Sequence, residues 1–212
     1  IPRRAVAEIN AQLEETPSYR HRAITIEGAV SVENVTDLID WSAKNGFSGY
    51  FMQFREGHTF FDRWYSHRLN PLKGPEGCTV EQAREYTRQI EGELARRGMV
   101  YHAIGHGWTC EAFGIEGLGW APVTQDWPQE VLDSLAEVNG KRAMWRAIPL
   151  ITSLCFSQAE VRRKVVACVV DYLETHRNIG ALHFWLDDGF NNKCECADCR
   201  QMRPADFYVL LL

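Results

Sequence analysis

The stretch RAITIEGAVSVENVTDLIDWSAKNGFSGYFMQF, residues 22–54, contains one complete strand–helix–strand pattern. Ser31 precedes apolar residues at helical spacing and is therefore the predicted helix N-cap. Gly46 supplies the helix stop, and the apolar run that follows it predicts a second strand. Because a crossover helix returns the chain to the same edge direction, the two strands are predicted to be parallel.

Three further apolar runs, at residues 99–105, 148–157 and 181–188, predict three more strands. Five predicted strands therefore alternate with four predicted helices. Both a doubly wound sheet and a (β/α)8 barrel show this alternation. No Gly-rich phosphate turn follows the first strand, so we expect an α/β fold, a (β/α)8 TIM barrel truncated to about five βα units.

Two capping boxes mark where predicted helices begin. Thr79 with Gln82 opens a long amphipathic segment, and Ser157 with Glu160 opens another just before the last strand. The segment around residues 127–139 is a weaker helical pattern between the third and fourth predicted strands.

The alternation assigns residues 21–212 to the N-terminal part of a TIM-barrel catalytic domain and residues 1–20 to the end of a preceding domain or a linker helix. The final stretch RPADFYVLLL stops inside an apolar helical pattern with no polar stop signals. We therefore expect further strands after Leu212, and poor activity of the 212-residue chain on its own.

Composition excludes several function classes. Hydrophobic residues make up 45% of the chain and charged residues 24%, as in ordinary globular proteins. The net charge of −5 comes with no basic run, so we expect neither nucleic acid nor a membrane surface as a partner. No stretch approaches the roughly 20 apolar residues of a membrane span.

Polar residues follow every predicted strand, and the C-terminal strand ends of a barrel form its active site. They are Glu27, Gln53, Arg55, His102, His106, Cys155, Ser157, Asp187 and Asp188. Alternation along the last strand turns His183, Trp185 and Asp187 toward the barrel lumen. Two adjacent carboxyl groups cannot both ionise cheaply, so one raised pKa is expected, as a general acid requires. The alternative is an Asp that caps the next loop while its neighbour faces solvent.

The connections after the second and third predicted strands interleave aromatic residues with polar ones. Flat aromatic faces beside fixed donors and acceptors match the surface of a sugar, and a carbohydrate is the expected substrate. Aromatic residues can equally pack long loops onto a barrel. The predicted catalytic residues are Asp188 and Asp187, and the predicted substrate-binding residues are Glu27, Arg55, His58, Asp62, Arg63, His106 and Trp108.

Cys194, Cys196 and Cys199 form a C-x-C-x-x-C pattern, which is typical of thiolate metal ligands. A structural zinc site needs a fourth ligand, for which Cys155 is the first candidate; Cys110 or a histidine of HAIGHG is the alternative. A site of four thiolates has no open position, so this metal would hold a loop while the carboxylates perform the chemistry. An unmetallated group of reactive thiols is the competing interpretation. This cysteine usage favours a reducing compartment such as the cytoplasm.

The segments HTFFDRWYSH, HAIGHGWTCEAFGIEGLGW, LCFS and LHFWLDDGFNNKCECADCR, together with the opening stretch, resemble a bacterial family of TIM-barrel domains of unknown function. That family is grouped with the glycoside hydrolases, and its nearest characterised relatives are α-glucuronidases and β-hexosaminidases. The resemblance implies functional roles for the Asp before the glycine, Asp188, for the C-x-C-x-x-C pattern and for Cys155. Asp187 departs from the family pattern, which leaves open which Asp is the acid.

The resemblance implies a glycoside hydrolase that acts by carboxylate general acid catalysis, with a structural zinc site beside its active site. In some hexosaminidase-type enzymes one acid of an adjacent pair protonates the leaving group and the other orients the substrate's acetamido group. Two other functions fit the same residues: a non-catalytic carbohydrate-binding barrel, and a metal-dependent hydrolase with a catalytic zinc.

Overall fold

The computed structural model describes residues 10, 12, 14–67 and 69–212. The segment expected to precede the barrel, residues 1–20, lies largely outside the described residues, which exclude 1–9, 11 and 13. In chain order the elements are β1 (Ala23–Ile26), α1 (Val32–Lys44), β2 (Gly49–Gln53), α2 (Gly57–Tyr65), α3 (Val80–Arg96), β3 (Val100–Gly105), α4 (Trp108–Glu111), α5 (Gln129–Ser134), β4 (Glu137–Val138), β5 (Lys141–Arg142), α6 (Ala159–Thr175), β6 (Ile179–Phe184) and α7 (Pro204–Leu211).

The main sheet has four parallel strands in the order β1-β2-β3-β6. Each neighbouring pair is joined by a crossover that contains a long helix, α1, α3 or α6. The predicted α/β class and the predicted parallel pairing are confirmed. Within the described residues the sheet is open, with β1 and β6 as its two edges.

Local sequence explains where the first helices begin and end. The Ser31 hydroxyl accepts a hydrogen bond from the Asn34 N–H at 3.1 Å, which satisfies one free donor of α1. Thr79 and Gln82 form the predicted reciprocal capping box at the start of α3. Gly46 follows α1 with φ of 79°, a left-handed conformation that suits glycine. These predictions are confirmed.

The predicted fourth strand is wrong. Residues 148–157 form a short 3-10 helix, Pro149–Ile151, and a single antiparallel bridge between Leu154 and Leu135. β6 pairs directly with β3 and takes the fourth place in the sheet. The described chain therefore contains four βα units rather than about five.

Local polar contacts explain this difference. The Thr152 hydroxyl donates to the Ile148 carbonyl at 2.7 Å and accepts from the Trp145 N–H at 2.9 Å, which folds the segment on itself. The predicted capping box at Ser157 is also wrong, because α6 begins one residue later, with Gln158 at its N-cap position. The Ser157 hydroxyl instead lies against two cysteine sulfurs.

The main sheet has two chemically different faces. Tyr50, Met52 and Ala103 are buried with the apolar residues of the helix layer. On the opposite face the Phe51 and His183 ring centroids are 4.4 Å apart, and His102 Nδ1 lies 3.0 Å from His183 Nε2. The predicted orientation of the last strand, with His183 turned away from the helices, is confirmed.

The longest helices, α3 and α6, have 17 residues each. Among the described residues, no helix combines the length and the apolar character that crossing a lipid bilayer would require.

Candidate functional site

Four cysteines come together on one side of the loop that follows β6. The sulfur atoms of Cys155, Cys194, Cys196 and Cys199 all lie within 4.8 Å of one another. Cys155 Sγ is 3.7 Å from Cys196 Sγ and 4.0 Å from Cys199 Sγ. We call these four residues the cysteine cluster; it can hold a metal ion. The alternative ligand Cys110 is not part of it and is buried in the apolar core.

A small hairpin holds the loop of the cysteine cluster in place. β4 and β5 are joined by Asn139 and Gly140, both at positive φ, as a tight hairpin turn requires. The Glu195 N–H donates to the Glu137 carbonyl at 2.7 Å, and the Glu195 carboxylate accepts from the Asn139 N–H at 2.7 Å. These two hydrogen bonds attach the cluster loop to the hairpin at Glu195.

Burial raises the pKa of the thiols in the cysteine cluster; hydrogen bonds outweigh it at Cys155 and Cys196, whereas the pKa of Cys194 rises to about 12 and that of Cys199 also rises. The Glu137 N–H donates to Cys194 Sγ at 3.3 Å. Burial raises the pKa of Cys196, but hydrogen bonds from the Cys199 N–H and the Ser157 hydroxyl outweigh it and lower the pKa to about 6. Four sulfur atoms in this arrangement suit a cation that prefers sulfur ligands.

The carboxyl end of the main sheet gathers acids around one histidine. His106 follows β3 and is 6% exposed. Burial lowers the pKa of its imidazole, whereas the charges of Asp188, Asp187 and Glu27 act in the opposite direction. Because Glu27 follows β1 and the two Asp residues follow β6, three strands contribute to this group. We call this end of the sheet the mouth.

Two indole rings border the mouth. The Trp185 and His106 ring centroids are 4.9 Å apart, and those of Trp120 and His106 are 6.4 Å apart, both edge to face. Gly105 makes room for Trp185, since a Cβ atom there would lie 2.9 Å from the indole ring. Among the described residues, His106 Nδ1 and Trp120 Nε1 are buried without a hydrogen-bond partner.

Trp120 depends on α2 for its position. The buried hydroxyl of Thr59 donates to the Gly117 carbonyl at 3.1 Å and accepts from the Gly119 N–H at 3.1 Å. A single side chain therefore fixes the loop immediately before Trp120.

The two adjacent acids have different surroundings. Asp187 Oδ1 accepts from the Asn192 side-chain amide at 2.5 Å and from the Gly189 N–H at 3.2 Å. Burial raises the pKa of Asp187, although these donors and the Ser153 hydroxyl oppose the rise. Asp188 is exposed. The two carboxyl groups therefore differ in burial: Asp187 is bonded to its own loop and Asp188 faces solvent, an arrangement that the alternative of a loop-capping Asp also describes.

The structure does not bring every predicted residue to the mouth. Trp108 is fully buried against Tyr172 and Phe184 in the helix layer, so its indole is not available to a ligand. The Arg55 guanidinium also turns toward the helices, where it pairs with Glu111 at 3.0 Å and lies over the Tyr172 ring. Gly107, next to Arg55, leaves room for this orientation, because a Cβ there would lie 2.5 Å from the Arg55 Cβ.

The remaining predicted residues belong to α2 and its partners. Arg63 reaches Glu27 at 3.1 Å and lies 6.0 Å from the Trp120 ring, so both border the mouth. His58 Nε2 lies 3.9 Å from the Asp62 carboxylate one helical turn away. Sequence reasoning missed Asn192 and Thr59, since a single buried polar side chain has no sequence pattern of its own.

No protein-family model and no curated protein matches this chain.

Proposed function

We propose that this chain carries the carbohydrate site of a glycoside hydrolase, with the mouth as the place where the sugar binds. The observation that carries the proposal is that the charges of Glu27, Asp187 and Asp188, which follow β1 and β6, act on the imidazole of His106, whose ring lies against the indoles of Trp185 and Trp120. Indole faces suit the C–H face of a sugar ring.

Asp187 is the proposed general acid. Burial raises its pKa, the direction of shift that a general acid requires. The exposed neighbour Asp188 is the proposed carboxyl group that contacts the substrate. Arg63 and Glu27, paired across the edge of the mouth, would position the sugar hydroxyls.

The four strands are the proposed first half of a (β/α)8 barrel. Their order in the sheet follows the order of the chain, as in a barrel, whereas a doubly wound sheet reverses its order at a switch point. In that arrangement the rings of Phe51, His102 and His183 would face the barrel interior.

Zinc is the proposed metal of the cysteine cluster, with a structural role. Four sulfur ligands suit tetrahedral Zn²⁺, with Zn–S distances of about 2.3 Å, and leave no open coordination position for a substrate. The metal would supply the cross-links that hold the loop after β6. Metal analysis of the purified protein tests this directly: one zinc per chain is expected, and a Cys155→Ser variant should bind it far more weakly.

Hydrolysis of a panel of aryl glycosides tests the proposed activity. We expect only weak turnover by the 212-residue chain, a further loss of at least about 100-fold in Asp187→Asn and Asp188→Asn, and no change in Asp37→Asn, which alters an exposed acid on α1. Sugar binding without turnover in all four proteins would favour a non-catalytic binding barrel. Neither binding nor turnover with any sugar would contradict the proposal.

A further inference from the structure

The carboxyl group of Asp187 is held by donors of its own loop. The Asn192 amide donates to Oδ1 at 2.5 Å and the Gly189 N–H donates to it at 3.2 Å, while the Ser153 hydroxyl lowers the pKa of the same carboxyl group. Asn192 is 6% exposed and Ser153 is 7% exposed. Buried donors of this kind fix the rotamer of a carboxyl group, because turning it away would leave them unpaired.

Asn192 and Ser153 both lie close in sequence to the cysteine cluster. Ser153 is two residues before Cys155, and Asn192 is two residues before Cys194. The two chain segments that carry the sulfur ligands are therefore the same two segments that hold Asp187. Any change that separates these segments also separates the donors.

Asn192, Ile151 and Gly189 are closely packed at the turn between the two acids and Cys194. Asn192 Nδ2 also donates to the Ile151 carbonyl at 2.8 Å, which ties its segment to that of Ser153. A Cβ atom at Gly189 would lie 2.3 Å from Asn192 Nδ2 and 2.5 Å from the Ile151 oxygen. Only glycine fits between these groups.

We propose that Asn192 is a positioning residue that, with Ser153, links the cysteine cluster to the carboxyl group of Asp187 and holds that carboxyl in one orientation only while the cluster is assembled around its metal. The inference deepens the proposed function, since it assumes that Asp187 is the acid. It assigns the metal a second effect at the mouth besides holding the loop.

The expected consequence is a change in the titration of Asp187. Hydrogen bonds to a carboxylate stabilise its charged form, so losing the Asn192 donor should raise the pKa of Asp187 above its already raised value. The other groups that act on this carboxyl are the Gly189 N–H, the Ser153 hydroxyl and the imidazole of His106, with Asp188 next to it in the chain.

The experiment follows the ¹³C signal of the Asp187 carboxyl group during a pH titration of the zinc-loaded protein. We expect Asn192→Ala to keep one zinc per chain and to titrate at higher pH than the wild type. The matched control is Asn191→Gly, which alters the exposed neighbour and preserves its positive φ of 55°; it should titrate like the wild type. An unchanged midpoint in Asn192→Ala would overturn the proposal.

A second test repeats the pH titration of Asp187 after the zinc has been removed by a chelator. The Asp187 midpoint should rise on chelation in the wild type and should rise much less in Asn192→Ala, where the link is already broken. Equal shifts in both proteins would show that the effect bypasses Asn192 and would also overturn the proposal. If chelation unfolds the domain, the comparison of the two zinc-loaded proteins decides alone.

These readouts do not depend on catalysis. If glycosides are hydrolysed, the alkaline limb of the kcat/KM profile should move to higher pH in Asn192→Ala, because the acid stays protonated longer. If no glycoside is hydrolysed but the Asp187 midpoint moves as expected, the proposed function fails and the link between cluster and carboxyl stands.

Discussion

The main sheet with its helices and the segments around the cysteine cluster are stabilised in different ways. Beneath the helices, Ile39 and Ile90 are fully buried, and strands of four to six residues pair in parallel, with one register shift between Tyr101 and His102. The cysteine region, residues 134–157 and 187–203, has strands of two residues and short 3-10 helices. It also holds non-glycine residues at positive φ, among them Arg146 and Ala147.

The difference indicates which part of the molecule would depend on the proposed metal. Apolar burial can stabilise the sheet region without a ligand, and the same core also takes in Leu135, Leu150 and Phe156 of the cysteine region. Irregular segments with little regular hydrogen bonding usually need cross-links to stay ordered. The mouth lies where the two regions meet, so its geometry depends on both.

The largest expected effect separates the two regions. Cys199→Ser removes a fully buried ligand and should abolish tight metal binding, for which zinc-binding peptides give apparent free energies of about 10–16 kcal/mol. Hydrogen exchange should then show loss of protection in residues 134–157 and 187–203, with α1 and α3 still protected. Cys168→Ser, outside the cluster, is the matched control. Simultaneous loss of protection in the helices would mean that the regions do not fold separately.

A core substitution should destabilise the sheet region and leave metal binding intact. Ile90→Ala leaves a cavity beneath α3 and should lower the free energy of unfolding by about 2–5 kcal/mol, with zinc still bound at one per chain. Gln89→Ala, one residue away and exposed, should change it by less than about 0.5 kcal/mol. Urea unfolding and metal analysis on the same samples check this, and release of zinc by Ile90→Ala before unfolding would contradict it.

Thr59→Val tests the connection between the sheet region and the mouth. The substitution keeps the shape of the side chain but removes both hydrogen bonds to the loop before Trp120, so we expect a loss of about 1–3 kcal/mol. Thr59→Ser keeps the hydroxyl and should retain the Trp120 environment, as reported by tryptophan fluorescence. If Thr59→Val leaves both stability and fluorescence unchanged, the hydroxyl does not hold the loop.

The smallest expected effect is a gain in stability. Because burial raises the pKa of Asp187, the folded protein keeps this proton to higher pH than the unfolded chain, whose Asp pKa is about 3.9. The contribution of this proton to the free energy of unfolding is fully present below the pKa of the unfolded chain. It is lost as pH rises through the pKa of the folded protein. Asp187→Asn should therefore stabilise the protein near neutral pH by on the order of 1 kcal/mol, with the gain disappearing near pH 3 or below. An equal gain at both pH values, measured by urea unfolding, would contradict this explanation.

Much of the sheet region could be predicted because its signals are local. Ser31 and the Thr79–Gln82 pair mark the first residues of α1 and α3. The alternation of apolar and polar residues along β6 predicts its orientation correctly. The same rules failed at residues 148–157, where a short apolar run fits both a strand and a buried irregular segment. The hydrogen bonds of Thr152 with Trp145 and Ile148 favour the irregular segment. Hydrophobic periodicity carries no information about such contacts.

The C-x-C-x-x-C part of the cysteine cluster could be predicted from spacing. Cys155 was predicted as the fourth member from its place at the end of a neighbouring strand, and it belongs to the cluster although that strand does not form. At Ser157 the capping pattern was overridden by the sulfur atoms nearby. Trp108 looked like a sugar-binding residue because aromatic composition does not distinguish a ligand platform from a core residue. Asn192 could not be predicted, since its importance depends on a carboxyl group and a backbone carbonyl brought together only by folding.

The turn at Asn139 and Gly140 also affects the chemical lifetime of the molecule. Asn-Gly steps lose ammonia through a cyclic imide readily, since glycine leaves the attacking backbone nitrogen unhindered. The product carries an additional carboxylate beside Glu195, the residue whose side chain accepts the Asn139 N–H. Repulsion between these two charges would loosen the β4–β5 hairpin from the cluster loop. Aged protein should therefore release its metal more readily than fresh protein of the same sequence.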